Sequence, residues 1–184
     1  MTCRKMISIA FAFFISIMMV GASSGRAASL PDSCAKDANG KYASDVEIPC
    51  KALDNFLEAF NSGDELRWAK TLNYPHVRMS GGVVSTWNKP EEYAKDQDTS
   101  KLAAATGWKE TKWDYRYVVQ AGNDGKTGSQ KYHVALSFTR YDNNDKSIPG
   151  QTFDSFYIIT NQNGHWGTQF RSSMAGSLHG RSAY

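Results

Sequence analysis

The chain is 184 residues long and carries 21 Lys and Arg against 18 Asp and Glu. The excess positive charge sits in residues 1–27, which hold Arg4, Lys5 and Arg26 and no acid, so the remainder is formally neutral and offers no electrostatic footprint for nucleic acid. Roughly 157 residues follow that segment, a size that suits one domain.

Met6 to Val20 is almost wholly apolar, broken only by Ser8 and Ser16, and small residues follow. Val20-Gly21-Ala22 or Gly25-Arg26-Ala27 would serve as a cleavage site. This layout predicts a signal peptide over 1–27 and a secreted or periplasmic product without a stable membrane anchor. The alternative is an uncleaved anchor, but the apolar run is shorter than the roughly 20 residues a spanning helix needs. Cys3 leaves with that segment, and no lipobox-like cysteine follows it. Cys34 and Cys50 remain in a chain bound for an oxidising compartment, which predicts a disulfide between them, the alternative being two unpaired thiols.

Residues 28–45 are polar and aperiodic, with Pro31 and Gly40, and read as an N-terminal tail. A helix opens between Ser44 and Cys50; Ser44 and Glu47 have capping-box spacing, and Pro49 belongs in a first turn. Leu53, Phe56, Leu57 and Phe60 form one helical stripe, stopped at Asn61-Ser62-Gly63. Asp64 caps a second, shorter helix to about Leu72. His76–Ser80 alternates as a strand, Gly81-Gly82 turns, and Val83–Thr86 returns. A third helix is expected over about Glu91–Ala104. Four long strands then follow as an antiparallel meander: Trp108–Gln120, Lys131–Tyr141, Thr152–Thr160 and His165–Ser173. Each is rich in Tyr, Phe, Trp, Val, Ile and Thr, and the links are rich in Gly, Asn and Asp. Residues 175–184 are small and polar and read as a loose C-terminal tail.

This order of elements resembles the nuclear-transport-factor-2-like superfamily, also called SnoaL-like or cystatin-like α+β. The resemblance spans residues 46–174. It is carried by Ala52–Asp64, by Asn73-Tyr74-Pro75-His76-Val77-Arg78-Met79-Ser80-Gly81-Gly82, and by the closing Gly164-His165-Trp166-Gly167-Thr168-Gln169-Phe170-Arg171-Ser172-Ser173. It implies an α+β fold in which three N-terminal helices pack in a cone formed by a curved, mostly antiparallel sheet. That sheet would comprise the four-stranded meander and the short strand pair. A pocket is implied at the cone's open end. Members include isomerases, cyclases, dehydratases and proteins without chemistry.

His76 and Arg78 lie two apart on one strand and share a face, so together they suit an anionic group or a positioned proton transfer; a solvated face is the plainer reading. Tyr74 adds a hydroxyl, and Trp87 and Tyr115 are candidate walls. Simple alternation puts Trp113, Tyr115, Tyr117 and Val119 on one face. It puts Tyr132, Val134, Leu136, Phe138 and Arg140 on the inner face of the next strand, with His133, Ala135, Ser137 and Thr139 outside. Arg171 falls opposite Trp166 and Phe170, so only a bulge would aim it inward. Asp154, beside Phe153 and Phe156, is a second candidate base after His76. Ketosteroid isomerase, within that superfamily, uses an aspartate base and an oxyanion hole of tyrosine and protonated aspartate; no motif places those groups here.

No HExxH, paired CxxC, P-loop or GxGxxG is present, and the four histidines show no metal-ligand spacing, so neither metal nor cofactor is expected. The leading expectation is an exported module with a pocket for a small, partly apolar molecule bearing an anionic end. One alternative is an isomerase, cyclase or dehydratase using His76 or Asp154 as general base. The other is a non-catalytic dimerisation module. The small residues Ala135, Ser137 and Thr139 suggest a homodimer through the sheet's outer face.

Overall fold

The computed structural model describes residues 30–123 and 130–173. The signal peptide expected over 1–27 and the tail expected over 175–184 lie outside the described residues. The elements run α1 (Glu47–Asn61), α2 (Glu65–Ala69), β1 (Leu72–Ser80), β2 (Val83–Trp87), α3 (Pro90–Asp96), α4 (Thr99–Thr106), β3 (Glu110–Asn123), β4 (Gln130–Tyr141), β5 (Ser147–Gln162) and β6 (His165–Ser173). The fold is α+β.

Helix α1 buries Leu53, Phe56 and Phe60, the stripe that the sequence spacing marks. Its start differs from the capping-box expectation: Val46 is the N-cap, without a side-chain cap bond, and Glu47 pairs instead with Lys51 one turn on. Gly63, at φ +70°, takes the left-handed turn that ends the helix region. Asp64 then caps α2, its Oδ1 accepting the Arg67 N–H at 2.8 Å. Helix α2 stops at Ala69 rather than near Leu72, because Leu72 already pairs with Thr168 of β6. The single helix expected over Glu91–Ala104 is two. Gln97 and Asp98 are extended, and the Asp98 carboxylate caps a fresh helix by accepting Lys101 N–H. A strong N-cap inside the segment outcompetes continuation.

The six strands form one open sheet in the order β2-β1-β6-β5-β4-β3. Strands β3 to β6 are the antiparallel meander, and β1 joins it by pairing parallel to β6. At that junction Gly167 has no room for a side chain: a Cβ there would stand 2.8 Å from the Thr71 carbonyl oxygen. The helices cover one face, and the core between them gathers Leu53, Phe56, Phe60, Trp68, Leu136 and Tyr157.

Two bulges decide which side chains face that core. In β3, Trp113 pairs with Phe138 but Tyr115 pairs with Ser137, so Asp114 is an extra residue. In β6, Phe170 pairs with Ile158 but Thr168 pairs with Ile159, so Gln169 is an extra residue. Residues 115–118 of β3, up to a second bulge at Val119, and residues 170–173 of β6 change face relative to strict alternation.

Residues 30–46 have no regular structure, yet they are not a free tail. Ser33 N–H donates to the Arg116 carbonyl at 2.8 Å, and Arg116 N–H donates to Asp32 Oδ1 at 2.9 Å. The segment thus caps the exposed edge of β3. Buried Arg116 reaches Asp54 of α1 at 2.6 Å and the Cys34 carbonyl at 3.1 Å. Cys34 and Cys50 form a disulfide and are both buried, tying this segment to the first turns of α1.

Candidate functional site

The inner face of the sheet and helix α1 line a cavity of about 40 Å³ that is open to solvent on one side. Phe56 and Phe60 of α1, Trp68 of α2, Trp113 of β3, Phe138 of β4 and Tyr157 of β5 supply aromatic wall. Three arginines also line it: Arg78 from β1, Arg140 from β4 and Arg171 from β6. No described Asp or Glu does. Each guanidinium-bearing residue is at least nine-tenths buried, an arrangement that is costly unless an anion or a dense set of dipoles offsets the charge.

Arg171 is the best-defined of the three. The bulge at Gln169 turns it inward beside Tyr157, the re-aiming on which its candidacy depended. Its guanidinium lies 5.2 Å from the ring centre of Phe56 and 5.3 Å from that of Trp68. Nη2 donates to Tyr93 Oη at 2.6 Å, and Nε donates to His76 Nε2 at 3.2 Å. All these described partners are neutral. Burial works to lower the Arg171 pKa, but the hydroxyls of Tyr93 and Tyr157 outweigh it and hold the group above its ordinary value. It stays charged.

His76 has a different part from the one its spacing suggests. It does share the inner face with Arg78, and it is fully buried. Its Nδ1 lies 3.0 Å from the Thr168 carbonyl oxygen, which can only accept, so Nδ1 carries the proton and Nε2 is the acceptor for Arg171. Burial, then the charge of Arg171, hold its pKa well below the usual imidazole range. His76 is therefore a neutral support behind Arg171 rather than a cation facing the cavity, and its lone pair is engaged. Arg78, paired in register with Arg171 across β1 and β6, is lowered to about 10 by burial and then by Arg171. Burial pushes Tyr93 up to about 12.

Other sequence candidates fall around this centre or away from it. Trp87 is buried behind His76, its ring stacked at 5.9 Å, with Nε1–H donating to Asp96 at 2.9 Å. The hydroxyl of Tyr74 is committed to the Ala69 carbonyl at 2.8 Å, and burial raises its pKa. Tyr115 is off the cavity: the bulge at Asp114 moves it, with Tyr117, to the outer face, where its hydroxyl donates to Asp154 at 3.2 Å. Asp154 is exposed on that same outer face, paired in register with Ser137. Thus neither candidate base presents a free lone pair to the cavity.

Sequence reading left Arg140, Tyr93, Trp68 and Tyr157 out of the candidate set. For Arg140 the signal was present: alternation put it at the end of an apolar inner face, where a charge is out of place. For Tyr93, on seven-residue α3, no pattern distinguishes it from a core ring.

No family model matches the chain, and no curated protein matches it. Solved structures do. Aln2 from a Streptomyces species superposes with a TM-score of 0.53 at 12% identity, over 72% of this chain and 92% of that one. A protein of unknown function with a cystatin-like fold from Nostoc punctiforme gives the same TM-score of 0.53 at 12% identity, with the same 72% and 92% coverage. An NTF2-like protein with a cystatin-like fold from Novosphingobium aromaticivorans gives 0.51 at 13% identity, over 70% and 80% of the two chains. The chain has the NTF2-like, cystatin-like fold, as the resemblance in its sequence implies. At such identities the likeness extends to the fold and not to activity.

Proposed function

We propose that this protein is an exported binding module whose cavity holds a small, partly apolar molecule by an anionic end. The observation that carries this reading is Arg171, buried in the cavity wall among aromatic rings with neutral described partners, His76 and Tyr93. A guanidinium fixed by hydrogen bonds is already oriented, so an incoming anion bears little of the ordering cost. The aromatic walls give the ligand's body a place to leave water. Export is supported by the sequence of residues 1–27 and accords with the disulfide between Cys34 and Cys50.

Native mass spectrometry of the purified full chain tests the reading. A co-purified acid of small mass is expected on wild type and is expected to be absent from Arg171→Met. An acid retained at equal occupancy by the folded Arg171→Met variant would remove the assignment.

A second reading concerns the outer face of the sheet. Val77, Ala135, Phe156, Ile158 and Phe170 lie there half-buried, on the side that no described helix covers. A second copy of the chain is the proposed cover. This is compatible with the binding reading, because the cavity opens on the other side of the sheet.

A further inference from the structure

The polar chemistry of the cavity wall is lopsided. Besides the guanidinium groups, Trp68 and Trp113 both line it, and the indole N–H of each is buried without an acceptor among the described residues. Other buried tryptophans are satisfied: Trp87 donates to Asp96, and Trp108 donates to Thr111 at 2.9 Å. An orphaned buried donor is costly to keep, so two on one cavity mark where acceptors are missing.

The geometry of Arg171 narrows the acid. Of a guanidinium's five N–H donors, His76 takes the one on Nε and Tyr93 takes one on Nη2. Tyr157 is a further hydrogen-bond partner of the guanidinium, so the donors left are on its terminal nitrogens, where a carboxylate oxygen can accept. A phosphate or sulfate would give up more hydration on entering this aromatic cavity and would have no body to place against Phe56, Phe60, Trp113 and Phe138. Flat rings suit those walls, and an oxygen on the ring's far side suits an indole N–H.

We infer that the cavity takes a flat aromatic carboxylate bearing a further oxygen acceptor, of the hydroxy- or oxo-arylcarboxylate class. This rests on the anion-binding reading and specifies its ligand: carboxylate on Arg171, ring between the aromatic walls, second oxygen on the indole N–H of Trp113 or Trp68.

Isothermal titration of the full chain at neutral pH with 4-hydroxybenzoate, benzoate, benzamide and inorganic phosphate tests it. 4-Hydroxybenzoate should bind about tenfold more tightly than benzoate, as one added hydrogen bond allows. Benzamide and phosphate should each bind more weakly than benzoate by about a hundredfold, in line with loss of a charge-assisted pair or of the apolar body. Trp113→Phe or Trp68→Phe, whichever keeps the wild-type melting profile, should narrow the gap between the two benzoates. Phosphate binding more tightly than benzoate would overturn the ligand class while leaving anion binding intact. Benzamide matching benzoate would overturn both. Equal affinity for the two benzoates in wild type, or a gap unchanged in both folded tryptophan variants, would overturn the second oxygen.

Discussion

His76 should make the protein's stability depend on pH in a window where few other groups titrate. It is fully buried, donates from Nδ1 to the Thr168 carbonyl and accepts at Nε2 from Arg171. Protonation would place a second cation against Arg171 and destroy the acceptor that holds it. The folded pKa is therefore well below the ordinary 6.5, through burial first and Arg171 second. The unfolded chain binds a proton at this site as pH falls through 6.5, and the folded chain does not. Stability from this group is thus complete above 6.5 and is lost as pH falls below it. One differential proton is worth about 1.4 kcal/mol per pH unit, or a melting shift of roughly 3–5 °C per unit for a domain of this size. The perturbed carboxylates Asp98, Asp37, Asp142 and Glu47 titrate at lower pH, all being held below their ordinary values by hydrogen bonds. His133, lowered by milder burial, adds a smaller contribution of the same sign. The clean comparison is therefore wild type against His76→Gln, whose amide can donate to Thr168 and accept from Arg171 without titrating. Chemical denaturation between pH 5 and 6.5 should show a slope in wild type that is greatly reduced in the variant. Equal slopes would refute the assignment of a neutral, non-protonating His76.

Other consequences are more direct. Thiol labelling of the denatured, unreduced protein should find neither Cys34 nor Cys50 free. Replacing both with Ser should cost about 3 kcal/mol for a loop of this length, and a variant within experimental error of wild type would speak against a stabilising bridge. Arg78→Met should weaken binding of an anionic ligand by roughly tenfold or more with little change in melting temperature; a destabilised protein with unchanged binding would make Arg78 a structural residue instead. Because burial and Arg171 lower Arg78 to about 10, anion affinity should hold from neutral pH to about 9 and fall as pH rises further; a profile flat through 10.5 would exclude a contribution from its charge. Sedimentation should show a dimer at high micromolar concentration that Phe156→Glu converts to monomer, whereas a strict wild-type monomer would leave the outer face without a second copy.

Much of the fold was legible because the signals were local. The α1 stripe, the Asp64 cap, the turn at Gly81-Gly82 and the four meander strands each depend on spacing and turn chemistry within a few residues. The split between α3 and α4 was missed because Asp98 was read as a helix interior residue, although Asp followed by Thr and Ser is a cap sequence. The site was less legible, and the bulges are the reason. One inserted residue at Asp114 sent Tyr115 out and brought Arg116 in; one at Gln169 brought Arg171 in. Alternation alone has no means of locating an extra residue, since a bulge is fixed by pairing with the neighbouring strand. His76 and Arg78 were placed on the correct face, but which of them met the cavity depended on Arg171, 93 residues beyond Arg78 in the chain and adjacent to it in register.

The central claim is that the Arg171 guanidinium meets an anion inside the cavity. The Nε–H resonances of arginine in 15N-labelled protein report this directly, with Arg171→Lys providing the assignment. Its hydrogen bond to His76 and its burial should make the Arg171 Nε–H slow to exchange with water and visible at neutral pH. Titration with 4-hydroxybenzoate should shift the Arg171 signal saturably, with Arg78 following and exposed Arg67 unmoved. Shifts confined to Arg67 and other exposed groups, with the Arg171 resonance stationary at saturation, would contradict the account.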